Sequence, residues 1–231
     1  FVIDYVRVYE CSINPNTGAG CETVRGGYKD PEDALVEGAA PTPPPPVVEG
    51  EFTNLTIFAD AQNDAWPIWD CCGGSTPTVE TDDADHGAVA EFIIGAQPTV
   101  MGFNTAQAAN PVGFNASAAA SDGTISFDMK VVTAPADTSA VWKFKVESNS
   151  ASEAVELDLS ASSEGAAPVT GQWQTYTYSL QSLADAGLDL SNIDVIMIFP
   201  AWGSGEGAVY RVDNVVIGKE GGSSSSPELV L

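Results

Sequence analysis

Between Ala140 and Val216 the chain repeatedly alternates apolar and polar residues, and this period of two is the strongest constraint on its fold. In Val141-Trp-Lys-Phe-Lys-Val-Glu147, Trp142, Phe144 and Val146 point one way and Lys143, Lys145 and Glu147 the other. In Ala154-Val-Glu-Leu-Asp-Leu159, Val155, Leu157 and Leu159 oppose Glu156 and Asp158. Successive side chains of a strand leave opposite faces, so both runs read as half-buried antiparallel strands. Trp173–Ser179, the apolar run Ile193–Phe199 and Val209–Val216 continue the series. Leu55–Phe58, Gly87–Ile94, Val100–Phe103 and Thr124–Val131 precede it. Gly, Pro, Asn and Asp clusters separate these runs. One short helix is predicted at Leu180–Ala186, capped near Ser179. Many short strands so spaced predict an all-β fold, an antiparallel β-sandwich of jelly-roll type. Each sheet then turns one apolar face inward and leaves a charged face outside.

The chain has 231 residues, with 32 acids against 8 bases and a net charge of −24. Nucleic acids and anionic membrane surfaces select clustered Lys and Arg, so neither is an expected partner. No apolar run approaches the roughly 20 residues of a membrane span. The balance suits a secreted protein working in salt, where screening removes self-repulsion; simple solubility is the plainer account. Four cysteines stand without Cys-His clusters, which favours disulfides over metal ligands. Cys11 and Cys21 could close a short loop. Cys71 and Cys72 are adjacent and are either bonded to each other or two buried thiols.

The organisation is read as four parts. Residues 1–30 begin inside a strand, Phe1-Val-Ile-Asp-Tyr-Val-Arg-Val-Tyr-Glu10, which resembles the closing strand of family 16 glycoside hydrolases of the laminarinase type. That family's signature of two glutamates flanking an aspartate is missing; the nearest string is Glu156-Leu-Asp-Leu-Ser-Ala161. A retaining glycosidase needs two carboxyl groups across the scissile bond, so no glucan hydrolysis is expected and no catalytic residue is assigned. Residues 31–51 are a linker whose Pro41-Thr-Pro-Pro-Pro-Pro46 suits a stiff polyproline II spacer. Residues 52–219 are the one part long enough to fold alone. Residues 220–231 read as a flexible Ser/Gly linker and the start of a next module. The expectation is a piece of a longer, multidomain, extracellular or cell-surface bacterial protein.

Within residues 55–218, Ala65-Trp-Pro-Ile-Trp-Asp-Cys-Cys-Gly-Gly74, Trp173-Gln-Thr-Tyr-Thr-Tyr178, Phe199-Pro-Ala-Trp-Gly203 and Tyr210-Arg-Val-Asp-Asn-Val215 resemble galactose-binding-like β-sandwich modules. The resemblance extends to the C-terminal module of marine exo-β-glucanases of the ExoP type, and family 4 carbohydrate-binding modules share the architecture. It implies polysaccharide binding and, in many such modules, a structural calcium.

Sugars present weakly apolar faces and hydroxyl edges, so a site for them needs flat rings and planar polar groups. Trp66, Trp69 and Trp202 lie in Gly- and Pro-rich loops without an alternating frame. They are the candidate stacking residues; alternatively they lid an end of the sandwich. Trp142 and Trp173 lie in strands and are expected in the core. A bonded Cys71–Cys72 would make either a small platform beside Trp69 or a braced loop. Lys143, Lys145 and Arg211 are expected to share one outward face with Glu156 and Asp158, offering donors and acceptors to hydroxyls; an ordinary salt-bridged face is the plainer reading. Asp60 ends the first strand and Asp213 lies in the last. Those strands meet in a jelly roll, so the pair could share a calcium with backbone carbonyls. Asp82, Asp83 and Asp85 read as a polar turn. His86, the lone histidine, has no partner for a zinc site or a catalytic triad. Asn54-Leu-Thr and Asn115-Ala-Ser match glycosylation sequons by pattern. The function expected is a non-catalytic carbohydrate-binding module for a linked glycoside hydrolase, with β-1,3-glucan (laminarin) as ligand. The alternative is a structural spacer that binds no sugar, in which case Trp66, Trp69 and Trp202 would all be packed.

Overall fold

The structure, a computed structural model, describes residues 52–220 and the backbone of 223–225. The hydrolase-like strand, the Cys11 and Cys21 pair and the proline spacer lie outside the described residues. Two sheets face one another. The first holds β1 (Thr53–Ala59), β2 (Ala61–Gln62), β4 (Ser75–Asp83), β5 (Gly87–Ile94), β7 (Thr124–Thr133), β10 (Trp173–Ser179), β12 (Val209–Gly218) and β13 (Ser223–Ser225). The second holds β3 (Ile68–Asp70), β6 (Met101–Asn104), β8 (Trp142–Ser148), β9 (Glu153–Asp158) and β11 (Ile193–Pro200), in the order β3-β6-β11-β8-β9. Every pairing is antiparallel except β1 with β13. The expected sandwich is therefore the observed one. The expected helix is α1 (Leu180–Asp185), with the Ser179 side chain accepting from the Ser182 N–H.

The predicted alternation decides what is inside. Ile125, Phe127, Met129 and Val131 of β7 are buried, and so are Trp142, Phe144 and Val146 of β8. Their aromatic rings join the sheets: Phe144 lies 5.8 Å from Phe127 and 4.2 Å from Tyr178, both on the opposite sheet. The Tyr210 hydroxyl, fully buried, donates to Ile198 O at 2.5 Å and so links β12 to β11 across the core. Burial holds that phenol well above its ordinary range. The Tyr176 phenol, buried without a hydrogen-bond partner among the described residues, is pushed up to about 12.

Four strands were not legible in the sequence: the short β2 and β3, and also β4 and β13. β4 is Ser-Thr-Pro-Thr-Val-Glu-Thr-Asp-Asp, with too few apolar residues to alternate visibly. β13 comes from the serine run expected to be a flexible linker; Ser223–Ser225 instead pair in parallel with Thr53–Leu55.

The outer face of the first sheet carries an ion-pair network organised by Asp83. Trp173, Lys130, Arg211 and Glu91 stand opposite one another in register across β10, β7, β12 and β5. The Asp83 side chain is 1% exposed and accepts from Lys130 Nζ at 3.1 Å, Arg211 Nη1 at 2.6 Å and Trp173 Nε1 at 3.1 Å. Arg211 Nε also donates to Glu91 at 2.8 Å. His86 stacks on Trp173 with ring centroids 3.8 Å apart. Trp173 is thus half-buried under a histidine on the outer face, not in the core as expected, because its parity opposes that of Tyr176 and Tyr178. Burial pushes the Asp83 carboxyl up, but the donors from Asp85 N–H, Arg211, Trp173 and Lys130 outweigh it and hold the group well below the ordinary carboxylate range.

A depressed folded pKa stabilises the fold above the unfolded value and loses that contribution as pH falls. Asp83→Asn is therefore expected to cost about 3 kcal/mol near neutral pH, by leaving Lys130 and Arg211 without their shared partner. The difference from the parent should shrink below about pH 4, as measured by denaturant unfolding across pH.

Candidate carbohydrate-binding face

The outer face of the second sheet gathers several of the predicted residues. Register sets Trp69 of β3 opposite Gly102 of β6, Gly102 opposite Met197 of β11, Met197 opposite Lys145 of β8, and Lys145 opposite Glu156 of β9. One row thus crosses all five strands. Gly102 is required there, because a Cβ would stand 2.0 Å from Ile196 O on the neighbouring strand. Val195, Met197 and Phe199 face this side by register and are nevertheless buried, so β11 lies below its flanking side chains. The result is a trough with an indole on one side and charged side chains on the other.

At one end the trough deepens into a groove of about 570 Å³. Trp69, Asn104, Glu147, Asp194 and Val112 are among its walls. Asn104 caps the turn Thr105–Gln107 by accepting from Ala106 N–H at 2.8 Å. Its Nδ2 has no partner among the described residues and stands as a donor at the groove. Val112 is 70% exposed. Asp194 is buried in an otherwise apolar strand, with one oxygen accepting from Ser150 N–H at 2.6 Å. Burial and the nearby Glu147 raise its carboxyl above the ordinary value. The β8–β9 turn beside it runs through three successive left-handed residues, Asn149, Ser150 and Ala151. Such backbone persists where the surroundings hold it. Here Asn149 supplies the hold, donating to Glu153 and Asp189 and accepting from Asn192.

Lys143, Lys145, Glu156 and Asp158 lie on this face as expected. Lys143 pairs with Asp158 at 2.5 Å, and that bond raises its ammonium above the ordinary value. Lys145 pairs with Glu147 at 2.7 Å. Arg211 does not join them: β12 belongs to the first sheet, and its guanidinium serves Asp83 and Glu91 on the opposite side of the sandwich. Parity assigned a face within a strand but could not assign the strand to a sheet.

The loop tryptophans divide. Trp66 is 2% exposed and belongs to the core, so it cannot stack on a ligand. Its N–H bonds to Asn63 O at 2.8 Å, which turns the loop so that the ring enters the sandwich. Trp69, by contrast, is partly buried at the groove. Trp202 is 61% exposed in the turn after β11. Cys71 and Cys72 are bonded to each other and reside at the end of the sheet where β11 finishes, since Cys71 N–H donates to Val100 O. Asp70 braces this loop, accepting from the N–H groups of Cys72, Gly73 and Ser75 and from the hydroxyls of Ser75 and Thr99. Burial raises the Asp70 carboxyl, but these donors prevail and leave it lowered.

The first and last long strands meet, as β1 pairs with β12. Asp60 N–H approaches Asp213 Oδ1 at 3.4 Å, while Asp213 Oδ2 is bonded to His86 Nδ1 at 3.0 Å. Among the described residues no group of three or more His, Cys, Asp or Glu side chains is placed to hold a metal ion. Asp60 and Asp213 would need backbone carbonyls to complete a calcium shell.

No protein-family model matches the chain, and no curated protein matches it. Solved structures do. The family 30 carbohydrate-binding module of the cellulosomal cellulase Cel9D-Cel44B of Clostridium thermocellum superposes with a TM-score of 0.53 at 14% identity, over 74% of this chain and 99% of that one. A second structure of a family 30 carbohydrate-binding module gives 0.54 at 15% identity, over 78% and 94%. The extra C-terminal domain of the exo-1,3/1,4-β-glucanase ExoP of Pseudoalteromonas gives 0.45 at 12% identity, over 76% and 95%, too loose a superposition to carry an argument. At these identities the likeness shows the fold: this chain has the β-sandwich of carbohydrate-binding modules.

The two loop tryptophans Trp66 and Trp69 should separate cleanly by mutation. Trp66→Ala should destabilise by about 3–5 kcal/mol in denaturant unfolding, as loss of a buried large side chain does. Trp69→Ala should cost much less stability, because its ring is already partly in solvent.

Proposed function

We propose that this chain is a non-catalytic carbohydrate-binding module that holds a β-glucan, most suitably a β-1,3-glucan such as laminarin, along the outer face of the second sheet. The observation that carries the reading is the combination of Trp69, the unpartnered Asn104 donor and the Lys145–Glu147 pair around one groove. The indole supplies a flat apolar surface for a sugar face, and the amide and charged groups supply partners for hydroxyls. Trp202 extends the reach of the face at its far end. The shared sandwich of family 30 carbohydrate-binding modules supports the same reading. A purely structural spacer would pack all three loop tryptophans, and only Trp66 is fully packed. Service to a secreted glycoside hydrolase through a covalent linker, with a further module beyond, completes the proposal.

Affinity electrophoresis against laminarin, mixed-linkage β-glucan, a cellulose derivative and xylan tests it. Laminarin should retard the protein most. Trp69→Ala should weaken retardation at least about tenfold, the loss of one good stacking contact of roughly 1.4 kcal/mol. Trp202→Ala should weaken it less, and Arg211→Gln not at all while the protein remains folded. No retardation by any glucan would sink the proposal. The calcium at Asp60 and Asp213 is proposed alongside, and it requires His86 to yield Asp213. Calcium should then raise the melting temperature and a chelator reverse the rise; no shift in either direction removes the ion from the reading.

A further inference from the structure

The sandwich has a second opening, whose lining includes Asp158 of the charged face beside the trough and none of the residues that line the groove at Trp69. A cavity of about 460 Å³ sits where β7 leaves the first sheet and β8 enters the second. Its volume lies within the range of roughly 300–1,000 Å³ usual for small-ligand sites. One lip is the loop 134–141 and the other the segment 159–170. Its floor draws on both sheets, through Val131 and Trp142.

Both lips are braced open by hydrogen bonds that do not cross the cavity. Ala136 N–H donates to Glu206 O at 2.9 Å, and Asp137 accepts from both the N–H and the hydroxyl of Ser139. On the other side Gly171 N–H donates to Val131 O at 2.8 Å. Gln174 clamps the loop twice, accepting from Val169 N–H at 2.5 Å and donating to Ala167 O at 3.1 Å. The opening is therefore preformed.

Its surface is of two kinds. Pro135, Pro168, Ala140 and the edge of Trp142 present apolar atoms. Val141, 44% exposed, and Val169, 46% exposed between two lining residues, are two of the six exposed large hydrophobics among the described residues. Thr138, Ser160 and Thr170 add hydroxyls, and Asp137 and Asp158 add carboxylates. A purely apolar ligand would leave these polar groups without partners, which is costly. An anionic ligand would meet two carboxylates, one of which already holds the nearby Lys143 ammonium. What fits is a neutral ring with an apolar face and a hydroxyl edge.

We propose that this opening is a second sugar site, taking one or two pyranose residues of a neutral glycan independently of the trough. The test is backbone-amide NMR of the full chain titrated with laminaribiose, cellobiose and digalacturonate. The amides of Thr138, Ala140, Ser160 and Ala167 should shift saturably with a neutral disaccharide and not with digalacturonate. Trp69→Ala should abolish shifts around Trp69 and Asn104 and leave those at the opening. Ala167→Trp, at an exposed position, should fill the opening and weaken its response at least tenfold while the trough still responds. Absence of shifts at the opening under saturating neutral disaccharide overturns the second site, as does their disappearance in Trp69→Ala. Shifts at the opening alone would instead count against the trough and uphold the second site.

Discussion

β11 is buried on both of its faces, and the rest of the second sheet is arranged around that fact. Ile196 and Ile198 meet the core, while Val195, Met197 and Phe199 face outward and are still shielded from water. A half-exposed sheet needs no such shielding on its solvent side. Here the outward residues of the central strand are apolar, so flanking strands must rise above them. Trp69 shares the row of Met197 on one side, and on the other Lys145 and Lys143 stand opposite Met197 and Phe199, where long cationic stems readily lie over apolar surface. The depression along the sheet is a by-product of covering a strand too apolar to be exposed. β6 brings a glycine to the position beside Met197 because a Cβ there would meet Ile196 O on β11.

The alternating strands were legible because a period of two survives any sheet arrangement. β8 and β9 came from it, and so did the shared outward face of Lys143, Lys145, Glu156 and Asp158. What the pattern could not carry was sheet membership. Arg211 alternates as Lys143 does, yet β12 and β8 lie in different layers, so their outward faces point in opposite directions. β4 was hidden for a different reason. Its aspartates and threonines read as a turn, and only the fold shows that the end of the strand curls over β7 and β12 to place Asp83 among cations. Trp66 and Trp69 show the same limit: Gly and Pro marked the segment as irregular, yet Ile68–Asp70 is strand β3, and the pattern does not say which ring turns inward. Asp194 could have been noticed, since a lone acid inside Ile-Asp-Val-Ile-Met-Ile-Phe is conspicuous in a strand otherwise apolar throughout.

The two faces of the sandwich use charge differently. On the first sheet the cations converge on one buried carboxylate and the indole of Trp173 is capped by His86, so the polar groups are satisfied internally. On the second the ion pairs are adjacent and partly exposed, Asn104 keeps a donor unpaired among the described residues and Trp69 is only partly buried. Exposed pairs of this kind contribute little to stability; their groups can rearrange around hydroxyls at small cost.

All five bases among the described residues, Lys130, Lys143, Lys145, Arg211 and Lys219, are already engaged by acids. The long-range field of so acidic a protein is therefore almost entirely repulsive, and its attractive contacts are short. Dissolved ions screen distant repulsion far more than close, partly buried attraction. Raising ionic strength therefore weakens what opposes the fold and spares most of what holds it together.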